Sequence, residues 1–257
     1  MKSNNIRNIR WGIIGLGKIA NKFATDLATV ENAELFAVAS RSKQNADEFA
    51  TKYSAKKAYN SYLDLAKDTQ VDAIYIATPH SFHKEHTILC LQNKKSVLCE
   101  KPFAMNLQEV TEMINVAKKN NVLLMEALWT YFLPHFQYVL NIVKSEKFGK
   151  LKELEADFGF YNKYNTNSRV FKKEVGGGSL LDIGIYPIFS ALATLGEPDT
   201  IDADAIFFEN GADSECNITF NYKNAKATLK SSLLEQTPTH AIFSFDNAVV
   251  KINSRFH

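Results

Sequence analysis

Short apolar runs and helical patterns alternate along the first half of the chain. RWGIIG (residues 10–15), ELFAVAS (34–40), DAIYIAT (72–78), SVLCE (96–100) and VLLMEA (122–127) are brief and rich in Val, Ile, Leu and Ala. Runs with so little polar alternation suit strands buried on both faces, the condition of a parallel sheet. Between them, the residues after Gly17 and the segments SKQNADEFATKY, SFHKEHTILCLQN and NLQEVTEMINVAKKN read as helices. Asn106, with Glu109 three residues on, forms a capping box for the last of these. The rhythm predicts an α/β fold, with a doubly wound, Rossmann-type parallel sheet over residues 1–127.

The pattern then changes. PHFQYVLNIVKSEKF is helical, LKELEADFGFY alternates as a strand, GGGSLLDIGIYP opens a helix expected to run from Ser179 to about Leu195, and IDADAIFF, SECNITFNY, AKATLKSSLLE and HAIFSFDN follow at hairpin-like spacing. A second, α+β domain with an open, mainly antiparallel sheet is predicted for residues 128–257. The last residues, Phe256 and His257, read as part of a strand.

With 46% apolar residues in 257, the chain can bury two cores. Thirty Lys and Arg against 28 Asp and Glu leave +2, without the clustered basic charge of a nucleic-acid binder. The start of the chain has no signal-peptide core, no apolar run reaches the length of a membrane span, and Cys90, Cys99 and Cys216 are odd in number and widely spaced. A cytoplasmic enzyme with reduced thiols and no membrane or nucleic-acid partner is expected, and the cysteines imply no metal. His80, His83 and His86 lack a completing carboxylate or thiol, so they too imply none.

Gly15-Leu16-Gly17-Lys18-Ile19-Ala20 gives G-x-G-x-x-A between a predicted strand and a predicted helix. Gly15 permits the tight turn, Gly17 lets the backbone approach a pyrophosphate, and Ala20 lets helix and strand pack closely. The second strand ends in Ser40-Arg41-Ser42-Lys43, where an NAD enzyme normally places a carboxylate for the adenosine ribose. Hydroxyls and a guanidinium there favour NADP over NAD; the alternative is that Arg41 and Lys43 are a solvated helix start.

Hydride transfer at a carbonyl needs a proton donor or acceptor at the oxygen. Lys101, in CEKP at the end of a predicted parallel strand, stands where ligands bind in open α/β sheets. Pro102 biases it away from helix, and a cis bond is conceivable there. In GGGSLLDIGIYP, Asp182 and Tyr186 would share a helix face at i and i+4, while glycines 176–178 would let the chain pass close to a nicotinamide or substrate. A phenol titrates near pH 10, and a nearby ammonium such as Lys101 would lower it by about 1–3 units. The alternative makes Tyr186 a core aromatic and Asp182 a cap partner. Pro187 is expected to kink the helix.

These stretches in order, WGIIGLGKIA, AVASRS, ATPHSFH, LCEKP, MEALWTYFLP and GGGSLLDIGIYP, resemble the Gfo/Idh/MocA oxidoreductase family along nearly the whole chain, and within it most resemble the dimeric dihydrodiol and NADP-dependent D-xylose dehydrogenases. The resemblance implies NADP-linked oxidation of a sugar or cyclic diol, and a homodimer through the second domain's sheet. Lys101 matches the lysine that contacts the nicotinamide ribose and the reacting hydroxyl, with Glu100 beside it. Tyr186 matches the general acid/base, and Asp182 the aspartate that orients Lys101 or the substrate. Thr78, Pro79, His80 and His83 match the loop beside the cofactor, His80 replacing the commoner asparagine. Tyr131 replaces a usual arginine, Phe171-Lys172-Lys173-Glu174 alters the approach to the glycines, and the chain stops short of those relatives, implying an incomplete second domain with an exposed sheet edge.

Trp129 and Phe132 would line an aromatic pocket or seal the seam between domains; both readings stand. Of Phe158 and Tyr161, at most one reaches a pocket. Arg169 either binds an oxygen-rich substrate or makes a structural pair. A non-catalytic, nucleotide-sensing regulator on the same fold is the rival to an enzyme.

Overall fold

The structure, a computed structural model, describes residues 7–257. It divides into two compact units, Met1–Ala127 and Leu128–His257.

In the first unit β1 (Ile9–Ile14), α1 (Lys18–Leu27), β2 (Ala33–Ala39), α2 (Lys43–Tyr53), β3 (Lys57–Tyr59), α3 (Tyr62–Lys67), β4 (Ala73–Ile76), α4 (His83–Gln92), β5 (Ser96–Glu100), α5 (Leu107–Asn120) and β6 (Leu124–Ala127) follow one another. The sheet order is β3-β2-β1-β4-β5-β6 with every pair parallel. The order reverses at β1 and β4, which opens a crevice beyond their carboxyl ends. Ile13, Ile14, Val38, Ile74 and Ile76 are fully buried, as strands covered on both faces require. Asn106 Oδ1 accepts from Glu109 N–H and Glu109 Oε2 from Met105 N–H, so the cap forms as the spacing predicts, with its return bond one residue early. β3 and α3, three and six residues long, carry too little periodicity to be read from sequence.

Opposite the crevice, Asp68 gathers Lys57 Nζ at 2.9 Å, the Tyr59 hydroxyl at 2.8 Å and Gln70 N–H at 2.9 Å. Burial alone would raise its pKa; the three donors outweigh that and hold the carboxyl below its ordinary range. A depressed acid pKa stabilises the fold above the unfolded value, near about 3.9, and the contribution is lost as pH falls through the folded value. Asp68→Asn is therefore expected to lower the denaturant midpoint at pH 7, with the gap to wild type closing below about pH 4; a gap independent of pH would refute the assignment.

The second unit contains α6 (Pro134–Ser145), β7 (Leu151–Gly159), α7 (Ile185–Leu195), β8 (Thr200–Phe207), β9 (Asp213–Tyr222), β10 (Ala225–Ser232), β11 (Ala241–Phe245) and β12 (Val249–Ile252). Its sheet runs β12-β11-β7-β10-β9-β8, antiparallel throughout except for the parallel pair β7–β10. Phe136, Val139, Leu154, Leu229 and Phe243 form its core with Ala191 of α7.

Two expectations change here. The strand at the end of the chain stops at Ile252; Arg255 turns at φ 64°, and Phe256 is fully buried in the core. The helix expected from Ser179 begins as a π-helical segment, Leu180–Gly184, before α7. Lys173–Leu195 is long and apolar enough by composition to cross a membrane, but it is broken into 3₁₀, π and α pieces, and Tyr186, Ser190, Ala191 and Thr194 are buried in the unit.

Candidate active site

At the carboxyl end of β1 the chain turns through Gly15 at φ 89°, and a Cβ there would lie 2.7 Å from the backbone of Ala77. Gly17 is the N-cap of α1, with no side-chain cap, no acidic residue in the first turn, and nothing within 4 Å of the place a Cβ would occupy. Unsatisfied N–H groups at a helix N-terminus facing open space fit an anion, so the residues present suit a dinucleotide pyrophosphate. Lys18 is exposed and Ile19 half-buried at the same turn, and Ala20 is fully buried against the sheet.

At the end of β2, Ser40 N–H donates to Tyr59 O and its hydroxyl accepts from Ser42 N–H at 3.2 Å. Arg41 is exposed, with its guanidinium beside the Tyr62 hydroxyl. Lys43 is engaged by Asp47, one turn along α2. Of the two cations at this strand end, Lys43 is thus engaged along its own helix, and Arg41 stands beside Tyr62 of α3.

His83, expected beside the cofactor, is fully buried, with Nδ1 2.8 Å from Pro102 O and Nε2 2.8 Å from Thr78 O. Carbonyls only accept, so both contacts are hydrogen bonds when both ring nitrogens carry protons. The ring joins two loops. His80 is 5% exposed, its ring 5.6 Å from that of His83, and Thr78 Oγ1 lies 3.0 Å from His86 Nδ1. Pro79 leads into this turn with an extended backbone.

Lys101 follows β5 directly, and its bond to Pro102 is cis. Glu100 accepts a hydrogen bond from the Tyr75 hydroxyl on Oε1 and one from the Lys101 backbone N–H on Oε2. Glycine loop, Ser40-Arg41, Thr78 and Lys101 therefore stand at the carboxyl ends of β1, β2, β4 and β5, along one edge of one sheet.

In the second unit Asp182 lies in the π-helical segment, 8% exposed, with Oδ1 3.5 Å from a guanidinium nitrogen of Arg169. Arg169 thus makes the pair that was one of its two expected roles. Bonding from i to i+5 widens the turn, so the i,i+4 alignment expected for Asp182 and Tyr186 does not carry over from α-helical geometry. Tyr186 is 5% exposed; its ring meets Phe158 at 5.6 Å and His257 at 4.7 Å, and the latter two stack at 4.0 Å. β7 ends at Gly159, so Tyr161, 68% exposed, lies beyond the strand. Trp129 and Phe132 are 46% and 59% exposed in a 3₁₀ turn.

The glycines before this helix are crowded by their own chain. A Cβ on Gly177 would meet Lys172 N at 2.6 Å, and one on Gly178, at φ 126°, would meet Asp213 Oδ1 at 2.1 Å. Asp213 Oδ2 in turn accepts from the Ser179 hydroxyl and the Leu180 N–H. At positions 177 and 178 the missing side chains admit a backbone turn and a capping carboxylate, where a ligand was expected.

The family model described as "Oxidoreductase family, NAD-binding Rossmann fold" matches residues 9–128, and that of the "GFO/IDH/MocA C-terminal domain" matches residues 136–249. The chain belongs to the Gfo/Idh/MocA oxidoreductase family. Among curated relatives, a trans-1,2-dihydrobenzene-1,2-diol dehydrogenase of Xenopus tropicalis is 36% identical over 95% of this chain and 75% of its own length. An NADP(+)-dependent scyllo-inositol 2-dehydrogenase of Bacillus subtilis is 35% identical over 96% of this chain and 76% of its own. Among solved structures, a 3-ketoreductase from Actinomadura kijaniata in complex with NADP and TDP-benzene is 25% identical over 97% of this chain and 78% of that one, with a TM-score of 0.85. This member of the Gfo/Idh/MocA family is an NAD(P)-dependent dehydrogenase.

For this Gfo/Idh/MocA dehydrogenase, three contacts described above, one in the first unit and two in the second, escaped sequence reasoning. Tyr75 looked like one more apolar strand residue, the Arg169–Asp182 pair spans a loop with no periodicity, and His257 meets Tyr186 only through tertiary packing. Only Tyr75 left a signal, a hydroxyl inside an otherwise aliphatic strand.

Proposed function

We propose that the protein is an NADP-dependent dehydrogenase that moves hydride between nicotinamide and a CH–OH carbon of a sugar, polyol or cyclic diol. The observation that carries the reading is the open space at the Gly17 N-cap, at the switch point of a β3-β2-β1-β4-β5-β6 sheet. NADP in place of NAD is supported by Ser40 and Arg41, with no carboxylate at the end of β2, and by the NADP-linked Bacillus relative. Gly15, Gly17 and Ala20 would hold the pyrophosphate end, Ser40 and Arg41 the 2′-phosphate, and Thr78 and Lys101 the nicotinamide side. When bound, the cofactor would accept the hydride as NADP+ or supply it as NADPH. Lys101 holds the reacting oxygen by its ammonium, and Tyr186 exchanges that oxygen's proton through its phenol. Asp182, paired with Arg169, keeps charge fixed near the start of the helix that carries Tyr186. Sugar and diol substrates are supported by the dihydrobenzenediol and inositol dehydrogenases among its relatives. A cytoplasmic homodimer is the expected assembly, with exposed Ile201, Ile206 and Phe207 on β8 in favour of association.

NADPH fluorescence titration, run beside initial-rate assays with NADP and NAD on xylose, glucose, inositols and a cyclohexene diol, tests this directly. Turnover with NADP on one of these classes is expected. Tight binding without turnover on any would replace the enzyme with a nucleotide sensor. Ser40→Asp places a carboxylate against the 2′-phosphate and is expected to shift the NADP-to-NAD preference by about tenfold or more; an unchanged ratio would remove Ser40 from the phosphate site.

A further inference from the structure

The backbone of the turn at Lys101 is held by side chains that belong to neighbouring elements of the first unit. From β4, Tyr75 is 2% exposed and donates a hydrogen bond from its hydroxyl to Glu100 Oε1. The other carboxylate oxygen, Oε2, accepts from the Lys101 backbone N–H at 3.3 Å. Behind the phenol, the Tyr75 ring stacks on Phe23 of α1 with centroids 3.9 Å apart and planes at 16°, and Phe23 meets Trp11 of β1 edge-on at 5.5 Å. One residue beyond, the Pro102 carbonyl is held at 2.8 Å by His83. A continuous series of contacts thus runs from the helix that carries the glycine loop, through a ring and a carboxylate, to the lysine's own backbone.

A tyrosine is not needed here for packing. All four β4 residues, Ala73, Ile74, Tyr75 and Ile76, are buried, and a phenylalanine would fill nearly the same volume. A buried hydroxyl costs stability unless it is bonded, so its presence calls for its partner. Burial and the adjacent Glu100 carboxylate both push the phenol far above its ordinary value, so the proton stays on Tyr75 and the group is a permanent donor. A carboxylate that accepts from a fixed phenol and from the next backbone N–H has its own plane set by both, and that plane fixes where the following residue begins.

We propose that Tyr75 is a positioning residue of this dehydrogenase: acting through Glu100, it sets the direction in which Lys101 leaves β5 and ties that direction to helix α1. The inference rests on the reading of Lys101 as the group that holds the reacting oxygen, and its test includes one measurement independent of that reading. Tyr75→Phe, made in the full chain, keeps the ring stacked on Phe23 and removes only the donor. The expected result is a fall in kcat of about tenfold, with substrate KM and NADP affinity within about twofold of wild type. In a Lys101→Ala background the same substitution should cause no further loss, because a residue that acts through the lysine has nothing left to position. Native-state hydrogen exchange at the Lys101 amide should be about tenfold faster in Tyr75→Phe, as a carboxylate that has lost its phenol donor protects that N–H less. An equal loss of turnover in both backgrounds would overturn the proposal, as would an unchanged exchange rate. Should wild type show no turnover on the whole substrate panel, the reading of Lys101 fails, and the exchange rate alone then decides: faster upholds the link to the backbone, unchanged overturns it. Should Tyr75→Phe fold poorly, Glu100→Ala interrupts the same series one step later and must give the same faster exchange.

Discussion

Tyr186→Phe should lower kcat by about 10²–10⁴-fold while NADP affinity stays within about twofold, since a positioned acid or base contributes on that order and the ring does not hold the nucleotide. The substitution is clean because of where the ring lies. Its contacts with Phe158 at 5.6 Å and His257 at 4.7 Å are made by faces and edges that phenylalanine shares. The core of the second unit therefore keeps its packing, and any fall in the thermal midpoint reports the bonds of the hydroxyl alone. Loss of activity with an unchanged midpoint would separate chemistry from structure in one experiment. The measurement is a steady-state rate series on the best substrate of the panel, beside a fluorescence titration of NADPH and a thermal melt. Equal turnover in the variant would take the phenol out of the mechanism and leave Tyr186 as a core aromatic. A large fall in the midpoint would mean that the hydroxyl holds the fold.

What the sequence could and could not disclose divides along physical lines. The glycine loop, the Asn106 cap and the long strands were legible because each is decided by residues within a few positions: a helix start, a side-chain acceptor, an unbroken apolar run. The crowding at Gly177 and Gly178 was not, because a missing side chain shows that something approaches and never what. Here it was Lys172 backbone and the Asp213 carboxylate. The buried bridge of His83 between Thr78 O and Pro102 O joins loops from two strands, a pairing no local pattern encodes. The same holds for the parallel pairing of β7 with β10, elements far apart in sequence. The π-helical segment left one trace, Pro187. A proline lacks the N–H for the i−4 carbonyl, here that of Ile183, and Pro187 stands in the first turn of α7, directly after the widened turn over Leu180–Gly184. Such segments gather at functional sites, and this one carries Asp182 and leads directly into Tyr186.

The two glycines of the nucleotide loop should respond to the same substitution in opposite ways. Gly15→Ala puts a Cβ 2.7 Å from the Ala77 carbonyl carbon and oxygen at a φ of 89°, where an L side chain is strained and the obstruction is backbone that cannot swing aside. A left-handed conformation costs about 1–2 kcal/mol, and displacing β4 from β1 adds to it. A total near 3 kcal/mol is expected, which lowers the thermal midpoint of a chain of this size by about 6–12 °C. Gly17→Ala meets nothing within 4 Å and sits at φ −82°, ordinary for any residue. Its cost to the fold should stay within about 1 kcal/mol, the usual span for a changed N-cap. The methyl group would, however, occupy the space into which the α1 N–H groups point, so NADP affinity should fall about tenfold or more. Melts and NADPH titrations of the two variants, side by side, decide the matter. If Gly17→Ala binds NADP as wild type does, the pyrophosphate does not approach at that turn, and the reading of the crevice fails at its first step. If Gly15→Ala melts as wild type does, the contact between β1 and the β4 loop is not the constraint its geometry indicates.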